Sequence, residues 1–246
     1  MHHRHIINRN EPLFCIETSG EDRAWFSSDS EERYLNNRDR PDMDPVYLDP
    51  DYVHYKFNHW GYRTDELDTY QEDQYFIAMG CSYTVGEGLA KQDRWSDRIT
   101  EHTGIPNMNL GISGSGLDVH LINTMHLIQC DFIPRPKFVV LQHPEISRQQ
   151  GWYQQEISPF SEINENSFGQ LSAIHYELTK KLHPRNTRRD ITQVINAAYH
   201  TEMFQHYWNS IDVPTIHWTF TGDAEVLKDY TAVKIHSIPG DYPDMD

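Results

Sequence analysis

The sequence predicts an α/β fold built on a mostly parallel sheet of about five strands, covered by helices on both faces. Three observations carry this. Short apolar runs alternate with stretches of helical periodicity, Gly-rich loops follow the first two apolar runs, and the composition changes sharply near residue 74. Strand–helix alternation implies crossover connections and therefore parallel pairing, and in such sheets ligands bind beyond the carboxyl ends of the strands.

Residues 1–73 read as an N-terminal extension or arm, and residues 74–246 as the α/β domain. Between Glu11 and Asp73 there are 17 acidic and 6 basic residues, four prolines and little regular periodicity. This pattern predicts an extended, turn-rich segment. Its aromatics, among them Trp25, Tyr34, Tyr47, Tyr55, Trp60 and Tyr62, predict an ordered segment docked on a surface, because disordered tails are aromatic-poor.

Tyr75-Phe76-Ile77-Ala78-Met79 is the continuous apolar run of a strand buried on both faces, and it ends at Gly80. Arg94 to Thr103 reads as a helix stopped by Gly104 and Pro106. Asn107 to Leu110 is a second strand, entering the loop Gly111-Ile112-Ser113-Gly114-Ser115-Gly116. Leu117, Leu121, Ile122, Met125 and Ile128 mark a helix to about Gln129, and Lys137 to Gln142 is a third strand. An irregular polar region to about Asn166 precedes a helix marked by Leu171, Ile174, Leu178 and Leu182. Another helix, marked by Ile191, Val194, Ile195 and Ala198, runs to about Asn209. Pro214 to Phe220 is a fourth strand and Thr231 to Ile235 a fifth.

The 246 residues carry 21 Lys+Arg against 37 Asp+Glu, a net charge of −16, with 37% hydrophobic residues and 14 Tyr, 10 Phe and 6 Trp. Such a charge opposes binding along a phosphate backbone, so nucleic acid is not expected as a partner. No run reaches the ~20 apolar residues of a membrane helix, and the start Met1-His2-His3-Arg4-His5 lacks the apolar stretch of a secretory signal. The expectation is no membrane partner and a cytoplasmic or virion-associated location. Cys15, Cys81 and Cys130 are odd in number and widely spaced, which argues against a disulfide framework or a thiolate zinc site. His200, Glu202 and His206 lack the i, i+4 histidine spacing of a zinc-protease helix and read as a solvated face. Neither a metal nor a cofactor is expected.

Three loops converge at the strand ends: Gly80-Cys81-Ser82-Tyr83-Thr84-Val85-Gly86-Glu87-Gly88, Asn109 to Gly116, and Gln142-His143-Pro144-Glu145. A serine directly after a buried strand, with glycines permitting tight turns, suits acyl transfer. The N–H groups of Ser82 and Gly114 could face a developing oxyanion.

These residues resemble the SGNH or GDSL-type hydrolases, flavodoxin-like three-layer α/β/α esterases and acetylhydrolases. Gly80, Ser82, Thr84 and Gly86 match the first family block, with Cys81 in place of Asp. Asn109, Gly111, Ser113 and Gly114 match the second, and Asn58-His59-Trp60-Gly61-Tyr62-Arg63 is similar to a segment that precedes the core in relatives with an extension. The Gly-Cys-Ser-Tyr-Thr variant is similar to phage-encoded proteins. The resemblance implies Ser82 as nucleophile, Ser82 and Gly114 as oxyanion donors, and a small ester or acylated glycan as substrate. Two blocks depart from the pattern. The third reads Gln142, His143, Pro144, Glu145, which leaves Gln142 as a further oxyanion candidate. The fourth, an Asp-x-x-His after the last strand, has no match, so His236 and His143 stand as alternative bases. The one Asp-x-x-His string, Asp51 to His54, is expected by chance at these frequencies. Two functions follow: a serine esterase acting through Ser82, or a catalytically degenerate fold used for binding or assembly, with the extension as a docking surface.

Overall fold

A computed structural model of the chain describes residues 20–27, 29–42, 44–49, 51–129, 133–146, 191–220 and 222–238. The central element is a parallel sheet of five strands: β3 (Phe76–Met79), β4 (Asn107–Asn109), β5 (Phe138–Gln142), β6 (Thr215–Thr219) and β7 (Ile235–Ser237). Their order is β4-β3-β5-β6-β7. All four pairings are parallel. An antiparallel ribbon of β1 (Asp22–Arg23) and β2 (Tyr55–Lys56) lies in the extension.

β3 has no exposed residue because it lies between β4 and β5 and both its faces are covered. Successive side chains point to opposite faces. Phe76 and Ala78 join Val140, Trp95 and Ile99 on one face, the side of α3 (Trp95–Thr103). Ile77 and Met79 join Val139 and Leu141 on the other, under α4 (Leu117–Gln129) and α5 (Ile191–Asn209). The result is a three-layer α/β/α sandwich. Trp208 of α5 is 1% exposed, and its indole N–H donates to the Thr124 hydroxyl of α4 at 3.1 Å. Truncating a side chain of that size costs about 3 to 5 kcal/mol.

Helix ends follow their local chemistry. α3 stops at Gly104, whose φ of +70° is the left-handed cap conformation. The extension departs from the expected lack of helix: α1 spans Glu31–Asn37. Ser30 caps it by accepting from the Arg33 N–H, and Glu31 and Glu32 sit in its first turn where the helix dipole favours them. The last strand is also displaced from the expected Thr231 to Ile235. The Thr231 hydroxyl and the Ala232 N–H donate to Glu202 at 2.7 and 2.6 Å, and the Val233 N–H donates to the Thr231 hydroxyl. These bonds hold the segment in a turn, and pairing with β6 begins only at Ile235.

Residues 55–70 of the extension are built into the domain. Tyr62, Leu67 and Tyr70 belong to the same buried cluster as Ile77 and Leu141. The helix expected around Leu171 to Leu182 and the cysteines Cys15 and Cys130 lie outside the described residues, as do His2, His3 and His5. Among the described residues no helix is long and apolar enough to cross a membrane.

Candidate active site at the strand ends

Ser82 is the first residue of α2 (Ser82–Val85), directly beyond the carboxyl end of β3. The turn into it needs glycine at Gly80. Its φ is +152°, and a Cβ there would stand 2.6 Å from the Gln142 side-chain oxygen. Gly86 closes the helix at φ +75°, and a Cβ on it would strike the Arg94 side chain. Gly111 carries the second loop past the first so closely that a Cβ would lie 2.7 Å from the Val85 nitrogen. Glycine spacing in the two loops therefore records how tightly they pack on each other.

Asn109 joins these loops. Fully buried, it donates from Nδ2 to the Thr84 carbonyl at 2.6 Å and to the Ser96 hydroxyl, while Oδ1 accepts from the Gly111 N–H at 3.0 Å. Arg63 ties the extension to the first loop. Its guanidinium lies 4.2 Å over the Tyr55 ring and donates to the carbonyls of Val85, Gly86, His54 and Leu89. Burial, reinforced by neighbouring Arg94, lowers its pKa to about 10, which still leaves it charged at neutral pH. The Asn58 to Arg63 segment is thus a brace: Asn58 Oδ1 accepts from the N–H groups of Trp60 and Tyr62 at 3.0 Å, and the turn delivers Arg63 beneath the Ser82 loop.

The Ser82 side chain is partly exposed, and its hydroxyl has no hydrogen-bond partner among the described residues. Neither the Ser82 N–H nor the Gly114 N–H has an acceptor among them, and Gly114 has a left-handed φ of +70°. Beside Ser82, Tyr83 is exposed and packs on Phe220, 4.2 Å between ring centres.

The remaining candidates are placed differently. Gln142 is buried with both ends of its amide engaged. Oε1 accepts from the Cys81 N–H at 3.1 Å, the Cys81 thiol at 3.3 Å and the Thr84 hydroxyl at 3.3 Å, and Nε2 donates to the His143 carbonyl at 2.6 Å. It ties β5 to the first loop, and its amide N–H faces its own chain neighbour. His143 is fully buried, its Nε2 lies 3.0 Å from His217 Nδ1, and its Nδ1 has no partner among the described residues. Burial, then the neighbouring His217 and His120 rings, hold its pKa well below the ordinary value. His143 therefore forms part of a buried neutral layer and makes no bond to Ser82. His236 is exposed on β7, in register with Trp218 and three strands from β3. At ~4.8 Å per strand this is roughly 14 Å across the sheet. The described residues bring no histidine into hydrogen-bond contact with Ser82. His54 of the chance string instead pairs with Asp22.

A second serine–histidine pair was not legible in the sequence. Ser115 and His120 are both fully buried, with the hydroxyl 2.8 Å from His120 Nε2 and also donating to the Ile112 carbonyl at 2.7 Å. Closed to solvent, it stiffens the second loop. The only signal for it was a Ser-x-x-x-x-His spacing across a helix start. Among the described residues no group of three or more His, Cys, Asp or Glu could hold a metal ion.

No family model matches the chain, and no curated protein matches it. Among solved structures it is similar to AlinE4, an SGNH-hydrolase family esterase, at 13% identity and TM-score 0.39 over 68% of this chain and 76% of that one. A mutant form of the same esterase gives 16% identity and TM-score 0.28 over 60% and 77%. A Bacteroides fragilis protein assigned as an acylhydrolase gives 17% and 0.29 over 71% and 84%. Scores of this size assign no residue a role, and the fold stands on the strand order and layers above.

Proposed function

We propose that the chain is a serine ester hydrolase acting through Ser82 on small or carbohydrate-borne acyl esters. One observation carries the reading: a partly exposed serine at the carboxyl end of an inner strand whose hydroxyl, like two backbone N–H groups on the loops around it, has no partner among the described residues. In this mechanism Ser82 Oγ attacks the acyl carbon, the N–H groups of Ser82 and Gly114 stabilise the oxyanion, the alcohol leaves, and water releases the acid. His236, about 14 Å away across the sheet, does not reach Ser82, so the Ser82 proton passes to solvent water, and Gln142 contributes by bracing the loop. The carbohydrate part of the reading comes from the family resemblance.

A second reading, a binding or assembly component in which the extension presents the docking surface, is favoured by the lack of any base bonded to Ser82 among the described residues. Turnover of p-nitrophenyl acetate by the full chain and by Ser82→Ala separates the two. A partnerless hydroxyl contributes little to folding, so the variant should keep its stability within about 0.5 kcal/mol. A clear rate abolished in the variant supports the hydrolase; equal rates in both overturn it in favour of binding.

A further inference from the structure

One feature unused by this chemistry is a cavity of about 470 Å³ between the extension and the exit of the Ser82 loop. Its volume falls in the usual range for small-molecule sites. Three aromatic rings, Trp25, Tyr34 and Tyr47, line it together with three carboxylates, Asp29, Asp49 and Glu87. The two tyrosines direct their hydroxyls elsewhere: Tyr34 donates to the Leu48 carbonyl at 2.5 Å and Tyr47 to Asp93 at 3.4 Å. What they present to the cavity is ring. Trp25 and Tyr34 meet at 41°, 5.6 Å between centres, forming an aromatic corner.

The charge on the walls is lopsided. Among the described lining residues there is one guanidinium, Arg33, and there are three carboxylates. Asp29 accepts from the Tyr55 hydroxyl at 2.7 Å, and Tyr55 in turn accepts from the Gly88 N–H at 2.6 Å, so the floor of the cavity is fixed to the loop that follows α2. Glu87 closes the other side by accepting from Ser113 of the second loop. Burial raises the Asp29 pKa and repulsion from Glu87 adds to it, against the Tyr55 hydrogen bond and the Arg63 and Arg33 charges, which lower it; a positive guest would favour the ionised form further.

Aromatic faces attract cations through their quadrupole, and carboxylates add charge attraction, whereas a neutral guest of the same shape gains neither. We propose that this cavity is a binding site for an organic ammonium group, with Trp25, Tyr34 and Tyr47 as the cage and Asp29, Asp49 and Glu87 as its counter-charges. The proposal is independent of ester hydrolysis, and its test reads binding alone.

Choline is the probe, and 3,3-dimethylbutan-1-ol, with carbon in place of the charged nitrogen, is its neutral isostere. Calorimetric titration of the full chain should show choline binding at least about tenfold more tightly than the isostere. Choline affinity should also weaken as salt is raised. Asp49→Asn removes one charge and keeps the acceptor for the Asp51 N–H, so it should weaken choline several-fold without changing the unfolding midpoint. Trp25→Ala should abolish binding, and Trp25→Phe should restore part of it if the alanine variant is unfolded. Equal binding of choline and isostere, absence of choline binding, tighter binding of methyl glucoside, or unchanged affinity in folded Asp49→Asn and Trp25 variants would each overturn the proposal.

Discussion

The buried histidines make the stability of this protein fall steeply in mild acid. Burial lowers the pKa of His120 to about 3 and, opposed only by nearby Glu202, that of His217 to about 4. In the unfolded chain both return to ~6.5. Between the two limits the unfolded state binds more protons than the folded one, so the stabilisation is complete above about pH 6.5 and is lost as the pH falls towards the folded values. From pH 7.5 to pH 5 each ring contributes a loss of about 2 kcal/mol, or about 4 kcal/mol together. That is a large share of the ~5–15 kcal/mol of an ordinary domain. His143 acts in the same direction, and Asp29, whose pKa is raised, acts in the opposite one. The assay is a series of urea unfolding curves across this range on the native chain and on His120→Gln. Glutamine can donate to the Ser115 hydroxyl but does not titrate, so the variant should show a pH dependence smaller by about 2 kcal/mol. The same pH slope in the two proteins would refute the argument, as would an imidazole resonance of folded His120 that titrates near 6.5.

Two substitutions probe the loop frame. Gly80→Ala places a side chain at φ +152° against Gln142 and Thr84, and should cost about 3 kcal/mol, seen as a melting temperature lower by about 10 °C; an unchanged melting temperature would show that the loop can yield. Arg63→Met strands four carbonyls and should cost about 3 kcal/mol by denaturant unfolding, with Arg63→Lys recovering part of the loss and any Ser82-dependent turnover falling with it. Equal stability of the methionine and native chains would mean that water satisfies those carbonyls.

The sheet was legible because its inner strands are simple. β3 is apolar on both faces, and a run such as Tyr75 to Met79 has few other ways to be buried. β7 was misplaced because its boundary is set by a distant side chain: Glu202, on α5, captures Thr231 and Ala232. α1 carried its own capping signal in Ser30, Glu31 and Glu32, which prolines and acidic charge on either side obscured. At the site, Ser82 and the glycines could be read because a tight strand-to-helix turn restricts residue type locally. The placement of Gln142 and His143 could not. Gln142 ends β5 and His143 follows it, yet what Gln142 touches depends on Cys81 and Thr84, and what His143 touches depends on His217, a residue of another strand.

The β4-β3-β5-β6-β7 order also sets a schedule for folding. β3, β4 and β5 are joined by connections shorter than the stretch from Gln142 to Thr215 that must close before β6 can pair with β5. Loop-closure entropy grows with that length, so long-range pairing is the slow event. The half carrying Ser82, Asn109 and Gln142 can assemble first, with β6 and β7 docking afterwards. The β5–β6 seam, where His143 meets His217, is then where the two halves of the sheet join. Amide protons along that seam should gain protection last in a refolding exchange experiment, after those that pair β3 with β4.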